Sequence, residues 1–394
     1  MRIALLCSGL SNIQRGHEIF ARDLFELLKD SLDITLFKGG GDPAPGEIVI
    51  DNVSRNSPFI KDVHVAASQK WVAAMQESER LRLEAETFAY AALKPLLEGG
   101  YDIIHCLEKD VCNIIYDHRH FFSKTPKIVF SNGGAMPARD LPRCDFVQEH
   151  TDYNLARSAK GKAFMIPHGV DTELFHPGVH SDFRARHGIP EDAFVVISVG
   201  TICYWHKRMD YVIREVSGVP DAWLVIVGQE CPDTPAIVQL GKELMGERII
   251  FTKMAHHDLP QAYAAADVFV LGSLFETFGI VYIEAMAMGL PVICTDHENQ
   301  KLIVKEGIFI DMKHPGALRK ALEAGNRHLY APLRNRGPQI AREFYDLRNL
   351  RQRYIEQYRR IETAETRLPR YTLGTKLSAN VRNAFRRATG LFAR

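Results

Sequence analysis

Short apolar runs alternate with stretches whose apolar residues recur at helical spacing along almost the whole chain, the pattern of parallel strands covered on both faces by crossover helices. In the first half the runs predict strands at 2–7, 33–37, 102–105, 127–130, 146–148 and 163–166. Between the first two lies a helix over 16–29 with Ile19, Phe20, Leu24, Leu27 and Leu28 on one face. Residues 39–58, rich in Gly and Pro, read as loop with at most one short strand, and 67–98 as a long helix with a solvated charged face. The periodicity breaks at PHGVDTELFHPG, residues 167–178, a hinge-like stretch that marks a domain boundary. It restarts with strands at 194–199, 223–227, 248–251, 267–271, 292–294 and 308–310, and 316–358 is helical. The predicted fold class is α/β: two doubly wound Rossmann-like domains, 1–166 and 179–345, facing a central cleft, with a C-terminal helix over 346–366 crossing back to the first domain. Ligands of such sheets sit at the carboxyl ends of the strands, so function is expected in the loops.

Composition narrows this picture. A chain of 394 residues is too long for one ordinary core. A net charge of +1 gives no reason to expect nucleic acid. The seven cysteines contain no CxxC pair, which suggests neither a disulfide framework nor a zinc site and fits a reducing cytosol. The start, MRIALLCSGL, reads as a first strand and not a signal peptide, and no run approaches membrane-spanning length. The tail 367–394 carries Arg370, Lys376, Arg382, Arg386, Arg387 and Arg394 without an acidic residue after Pro369, with apolar residues at helical spacing. It is either a basic amphipathic helix for peripheral contact with an anionic membrane, at its inner face, or a terminal helix docked on the protein.

Candidate chemistry concentrates in residues 265–295, AADVFVLGSLFETFGIVYIEAMAMGLPVICT. A buried strand leads to a loop bearing Glu276, then to a helix that begins near Gly279, carries Glu284 and stops at Gly289. Eight residues are roughly two helical turns, so the two carboxylates point to one side. The amides of Thr277, Phe278, Gly279 and Ile280 are first-turn donors suited to anionic or hydroxyl oxygens. Neither domain opens on G-x-G-x-x-G, and no G-x-x-x-x-G-K-[ST] or G-x-S-x-G segment occurs, which disfavours nicotinamide, P-loop and serine-hydrolase chemistry. Lys207 and Arg208, after the strand ending at Gly200, would bring positive charge to a diphosphate, and Glu284 would accept two hydrogen bonds from a vicinal diol such as ribose.

PHGVDTELFHP, VGTICYWHKRMD, LVIVG, the run ending GLPVICTD and the E-x7-E spacing of Glu276 and Glu284 together resemble the family-4 retaining glycosyltransferases of the GT-B fold. The resemblance is strong over 166–311 and loose over the first 160 residues. It implies a nucleotide-sugar donor in the second domain, UDP-sugar more often than GDP-sugar, and a glycan, lipid-linked or small-molecule acceptor on the first. It also implies transfer with retained configuration and no metal or other cofactor, because lysine, arginine and a helix N-terminus neutralise the leaving diphosphate. Carried over residue by residue, it puts Lys207 at the phosphate, Glu276 at the donor sugar and Glu284 at the ribose. Phe278, Gly279 and Ile280 fall where backbone amides meet sugar and phosphate, and the main chain of Met254 meets the base.

The departures concern both sides. Thr201 stands where an arginine is frequent, with Arg208 as a substitute charge, and Thr277 where glycine is frequent. In the first domain Asn132, in SNGGAMPARD, occupies the neighbourhood of a histidine close to the transferred sugar; with Gly133 it is either a cleft loop or an ordinary turn. Asparagine positions a hydroxyl but is no base. Gly9 is a turn glycine whose loop is expected near the diphosphate, and His105 either faces the cleft or is a satisfied histidine at a strand end. His256 and His257 read as solvated loop residues. Two rivals stay open: a catalytically silent glycosyltransferase-like binding subunit, and a phosphorylase or epimerase on the same architecture.

Overall fold

A computed structural model describes residues 1–13, 15–60, 63–66, 68, 72–325 and 327–365. The basic tail therefore lies outside the described residues. The first sheet contains β1 (Arg2–Cys7), β2 (Asp33–Lys38), β3 (Glu47–Val49), β4 (Ile103–Cys106), β5 (Lys127–Ser131), β6 (Phe146–Glu149) and β7 (Ala163–Met165). All pair in parallel, in the order β3-β2-β1-β4-β5-β6-β7. The second contains β8 (Val195–Val199), β9 (Trp223–Val227), β10 (Ile249–Thr252), β11 (Val268–Val270), β12 (Val292–Thr295) and β13 (Ile308–Ile310), again parallel, ordered β10-β9-β8-β11-β12-β13.

The sequence explains why these runs become central strands. Ile3 to Cys7 and Val195 to Ile197 are wholly buried and offer no polar face to water, so both faces must be covered by helices. In each sheet the chain direction across the strand order reverses once, between β1 and β4 and between β8 and β11. Loops leave these strand pairs to opposite faces, opening a crevice at the carboxyl ends. The loop 39–58 contributes only the three-residue β3, and the long helix spans Val72–Gly99.

The polypeptide crosses between the lobes twice, side by side. Val170 N–H donates to Tyr345 O at 2.8 Å, Leu347 N–H donates to Val170 O at 3.2 Å, and Thr172 Oγ1 donates to the Asp346 carboxylate at 2.5 Å. Beyond that crossing the Leu347–Thr363 helix buries Leu350, Tyr354, Tyr358 and Ile361 in the core that contains β1. Gln148 Nε2 donates to Tyr354 Oη, and Tyr358 Oη meets His105 Nδ1 at 2.7 Å, so this helix is pinned by polar contacts that burial strengthens. Among the described residues no helix is long and apolar enough to cross a membrane.

Candidate functional site between the lobes

A cleft of about 590 Å³ lies between the two switch points. The loop after β11 and the helix Ile280–Ala287 form its floor on the second lobe. Gly279 caps that helix with φ +76°, a left-handed conformation that costs glycine nothing, and a Cβ there would stand 2.8 Å from the Tyr282 ring. The turn therefore exposes the amides of Gly279, Ile280 and Val281, which have no preceding turn to bond. On the neighbouring strand ends, a Cβ at Gly228 would lie 1.7 Å from Gly200 O, so the β8 and β9 loops approach more closely than any other residue permits.

Lys207 and Glu276 meet across this floor. Lys207 Nζ donates to Glu276 Oε1 at 2.5 Å, Ser273 Oγ donates to the same oxygen at 2.6 Å, and His206 Nε2 stands 3.4 Å away. Burial alone would raise the Glu276 pKa, yet Lys207 and His206 outweigh it and hold the carboxyl below its ordinary range. Burial pulls the His206 pKa down. Asn299, wholly buried, fixes the loop by donating to Glu276 O at 2.6 Å and Thr277 O at 3.0 Å; Asn154 of the first lobe reaches the latter at 3.2 Å.

Glu284 lies deeper. His256 Nε2 is 2.7 Å from Oε1, and Tyr263 Oη donates to Oε2 at 2.8 Å. Burial works against the charged imidazole, but Glu284 and Asp23 together raise the His256 pKa above its ordinary value. Asp23, from the first lobe's helix Gly16–Leu28, faces the same group; burial raises its pKa to about 6, against the pull of His256.

The cleft gathers Thr201, Lys207, Met254, Glu276, Thr277, Phe278, Gly279, Ile280, Glu284 and Gly133 from the residues expected on sequence grounds. The ring of Phe278 turns to His168 and Tyr345 and leaves its backbone at the wall. Four others stand elsewhere. Arg208 does not line the cleft: its guanidinium donates to Gly272 O and Met312 O and covers the Tyr211 ring, because its left-handed backbone, φ +49°, turns it from Lys207. His105 is wholly buried against Tyr358, with burial pressing its pKa to about 3. Asn132 is spent on its own loop, donating to Met136 O and Glu149 Oε1 and accepting from Met136 N–H. Gly9 accepts the amides of Asn12 and Ile13, while its neighbours Leu10 and Ser11 reach the cleft.

Sequence reading missed His206, Ser273, Asn299, Tyr263 and Asp23, and took His256 for a solvated loop residue when it holds Glu284. His206 beside Lys207 and Ser273 three residues before Glu276 were the available signals. The first lobe adds a Ser131–His150 pair: Ser131 Oγ lies 3.2 Å from His150 Nε2, and His150 Nδ1 is 3.2 Å from Ile166 O. Burial lowers the His150 pKa to about 3, so the ring is neutral and stacks on His168 at 3.9 Å.

Residues 179–324 match the family model of glycosyl transferases group 1. A curated relative, D-inositol 3-phosphate glycosyltransferase of Mycobacterium tuberculosis, is 34% identical over 148 residues, which is 36% of this chain and 30% of that protein. The chain thus spans less than a third of the length of the curated relatives it matches. Among solved structures, sucrose-phosphate synthase from Thermosynechococcus elongatus superposes with a TM-score of 0.76 at 21% identity, covering 93% of this chain and 100% of that one. Anabaena HepE in complex with UDP and glucose gives 0.70 at 16% identity, covering 91% and 99%. The chain therefore carries the GT-B fold, and residues 179–324 of its second lobe are similar to the glycosyl transferases of group 1.

Proposed function

We propose that this protein is a retaining, metal-independent glycosyltransferase of family 4 that moves a sugar from a nucleotide sugar, UDP-sugar in preference to GDP-sugar, to a hydroxyl acceptor held by the first lobe. The observation that carries the reading is the Lys207–Glu276 pair set beside the Gly279 helix N-terminus at the switch point of the second sheet. In this reading the diphosphate displaces Lys207 Nζ from Glu276 and takes the amides of Gly279 and Ile280. As the anomeric C–O bond breaks, its electron pair passes to the diphosphate, where the ammonium and the helix end meet the growing charge. Glu276 turns to sugar hydroxyls, and Glu284, oriented by Tyr263 and His256, accepts the ribose diol. The acceptor oxygen attacks from the leaving-group side and its proton goes to the departing phosphate. HepE, solved with UDP-glucose, supports the donor class. The acceptor is a glycan, a lipid-linked or a small hydroxyl compound; we place the reaction in the cytoplasm on the sequence grounds above.

The test is a panel of UDP- and GDP-sugars scored for thermal stabilisation and for slow donor hydrolysis, in buffer with a chelator. Stabilisation by at least one donor and hydrolysis to the sugar of unchanged anomeric configuration are expected. If no nucleotide sugar is bound, the donor assignment fails.

A further inference from the structure

We propose that Cys7, His17 and Glu108 form a binding site for one transition-metal ion of the zinc class, at the switch point of the first sheet. Cys7 ends β1, His17 is the second residue of the helix that follows, and Glu108 lies just beyond β4. A thiol, an imidazole and a carboxylate thus converge from three parts of the chain where the strand order reverses, and their donor atoms all lie within 4.8 Å of one another. Tetrahedral coordination at ordinary zinc distances sets donors roughly 3.3–3.8 Å apart. His17 Nε2 already lies 3.4 Å from the Glu108 carboxylate, at Oε1, so small movements of the imidazole toward Oε2 and of the thiol inward are the adjustments an ion requires.

Two features prepare this cluster for an ion. Glu108 Oε2 is buried and makes no hydrogen bond, although buried polar atoms are rarely left so, and His17 Nε2, also buried, meets Glu108 Oε1 at 3.4 Å, the spacing of an ion pair and beyond a well-formed hydrogen bond. Ser8 donates to Glu108 Oε1 through its N–H at 2.8 Å and its hydroxyl at 3.0 Å, orienting the carboxylate as an outer-shell partner orients a ligand and leaving Oε2 for an ion. Thiolate and imidazole select zinc or cobalt over magnesium and calcium. Cys7 would bind as the thiolate, its proton passing to solvent as the cation takes its place. Three protein ligands leave a fourth position for water or a ligand oxygen. His17 also lines the cleft, its Nδ1 3.6 Å from where a Cβ at Gly133 would stand, so the ion would lie just behind the acceptor-side wall.

Reduced, chelator-treated protein is titrated with Co²⁺, then Zn²⁺. One Co²⁺ per chain is expected, with a thiolate-to-cobalt charge-transfer band in the near ultraviolet that Zn²⁺ abolishes. Cys7→Ser should lose the band, His17→Gln and Glu108→Gln should weaken Co²⁺ binding about tenfold or more, and Cys112→Ala, at a wholly buried cysteine of the helix Lys109–His118, should retain it. Circular dichroism and UDP stabilisation verify that each variant is folded. A missing band, one that survives in Cys7→Ser, one lost in Cys112→Ala, or unchanged affinity in His17→Gln overturns the site.

Discussion

The two lobes share one topology and differ in what their switch points hold. In the second, the loops after β8 and β11 bring a cation to a carboxylate and both to a helix N-terminus, an arrangement suited to a diphosphate and a polyol. In the first, the loops after β1 and β4 bring a thiol, an imidazole and a carboxylate together, while other polar residues of the sheet serve the scaffold: Asn132, just after β5, closes its loop on Glu149 of β6, and His105, within β4, anchors the C-terminal helix. The same strand reversal thus makes a crevice that offers anion-binding groups on one side and metal-ligating groups on the other. Sheet topology fixes where a ligand binds; the loop residues fix which ligand.

The largest effects should come from the Lys207–Glu276 pair. Lys207→Ala is expected to reduce donor turnover by about 100-fold or more, the order seen when a group that stabilises transition-state charge is removed, and Glu276→Ala should chiefly lower turnover as well; steady-state kinetics of donor hydrolysis reads both. Unaltered turnover would make the pair a structural bridge.

Next comes Glu284→Ala, which should weaken UDP binding about tenfold or more, the worth of roughly one or two charged hydrogen bonds, with little change in turnover at saturating donor.

The interlobe group gives a pH signature. The His256 pKa is raised in the folded chain, so its contribution is present below its unfolded value near 6.5 and is lost as pH rises through the folded value. Asp23, with a pKa of about 6 against about 3.9 unfolded, adds a penalty that grows in the same direction, from about pH 4 to about 6, and is constant above. Stability should fall from pH 5 to 8, and the fall should shrink in a His256→Gln, Asp23→Asn variant followed by thermal unfolding.

The smallest effect separates the lobes most cleanly. Asn132→Ala should cost about 1–3 kcal/mol of stability by stranding the buried Glu149, and Arg208→Ala should cost stability too, yet both should leave UDP affinity unchanged by calorimetry.

The second lobe's side of the cleft was legible in the sequence because its residues are close together along the chain: the punctuation of Gly279, Gly289 and Pro291 bounds one helix, and Glu276 and Glu284 sit on one segment. The strands were legible for the same local reason, as apolar runs. What escaped is the pairing of distant residues. Nothing near His256 indicates that it closes on Glu284, and nothing near Cys7 points to Glu108. Arg208 was misplaced because a left-handed residue turns its side chain away from its neighbour's, which no periodicity records. For Asn132 and His105, position along the chain left a cleft role and a scaffold role both open, because the contacts that decide for the scaffold come from the distant Glu149 and Tyr358.

The most direct measurement is calorimetric titration of UDP-glucose into the wild-type chain and the Glu284→Ala and Asn132→Ala variants at one pH. The account predicts one site per chain, weakened about tenfold or more by the first substitution and unmoved by the second. Equal affinity in all three, or no binding to the wild type, would contradict a donor site built on the second lobe.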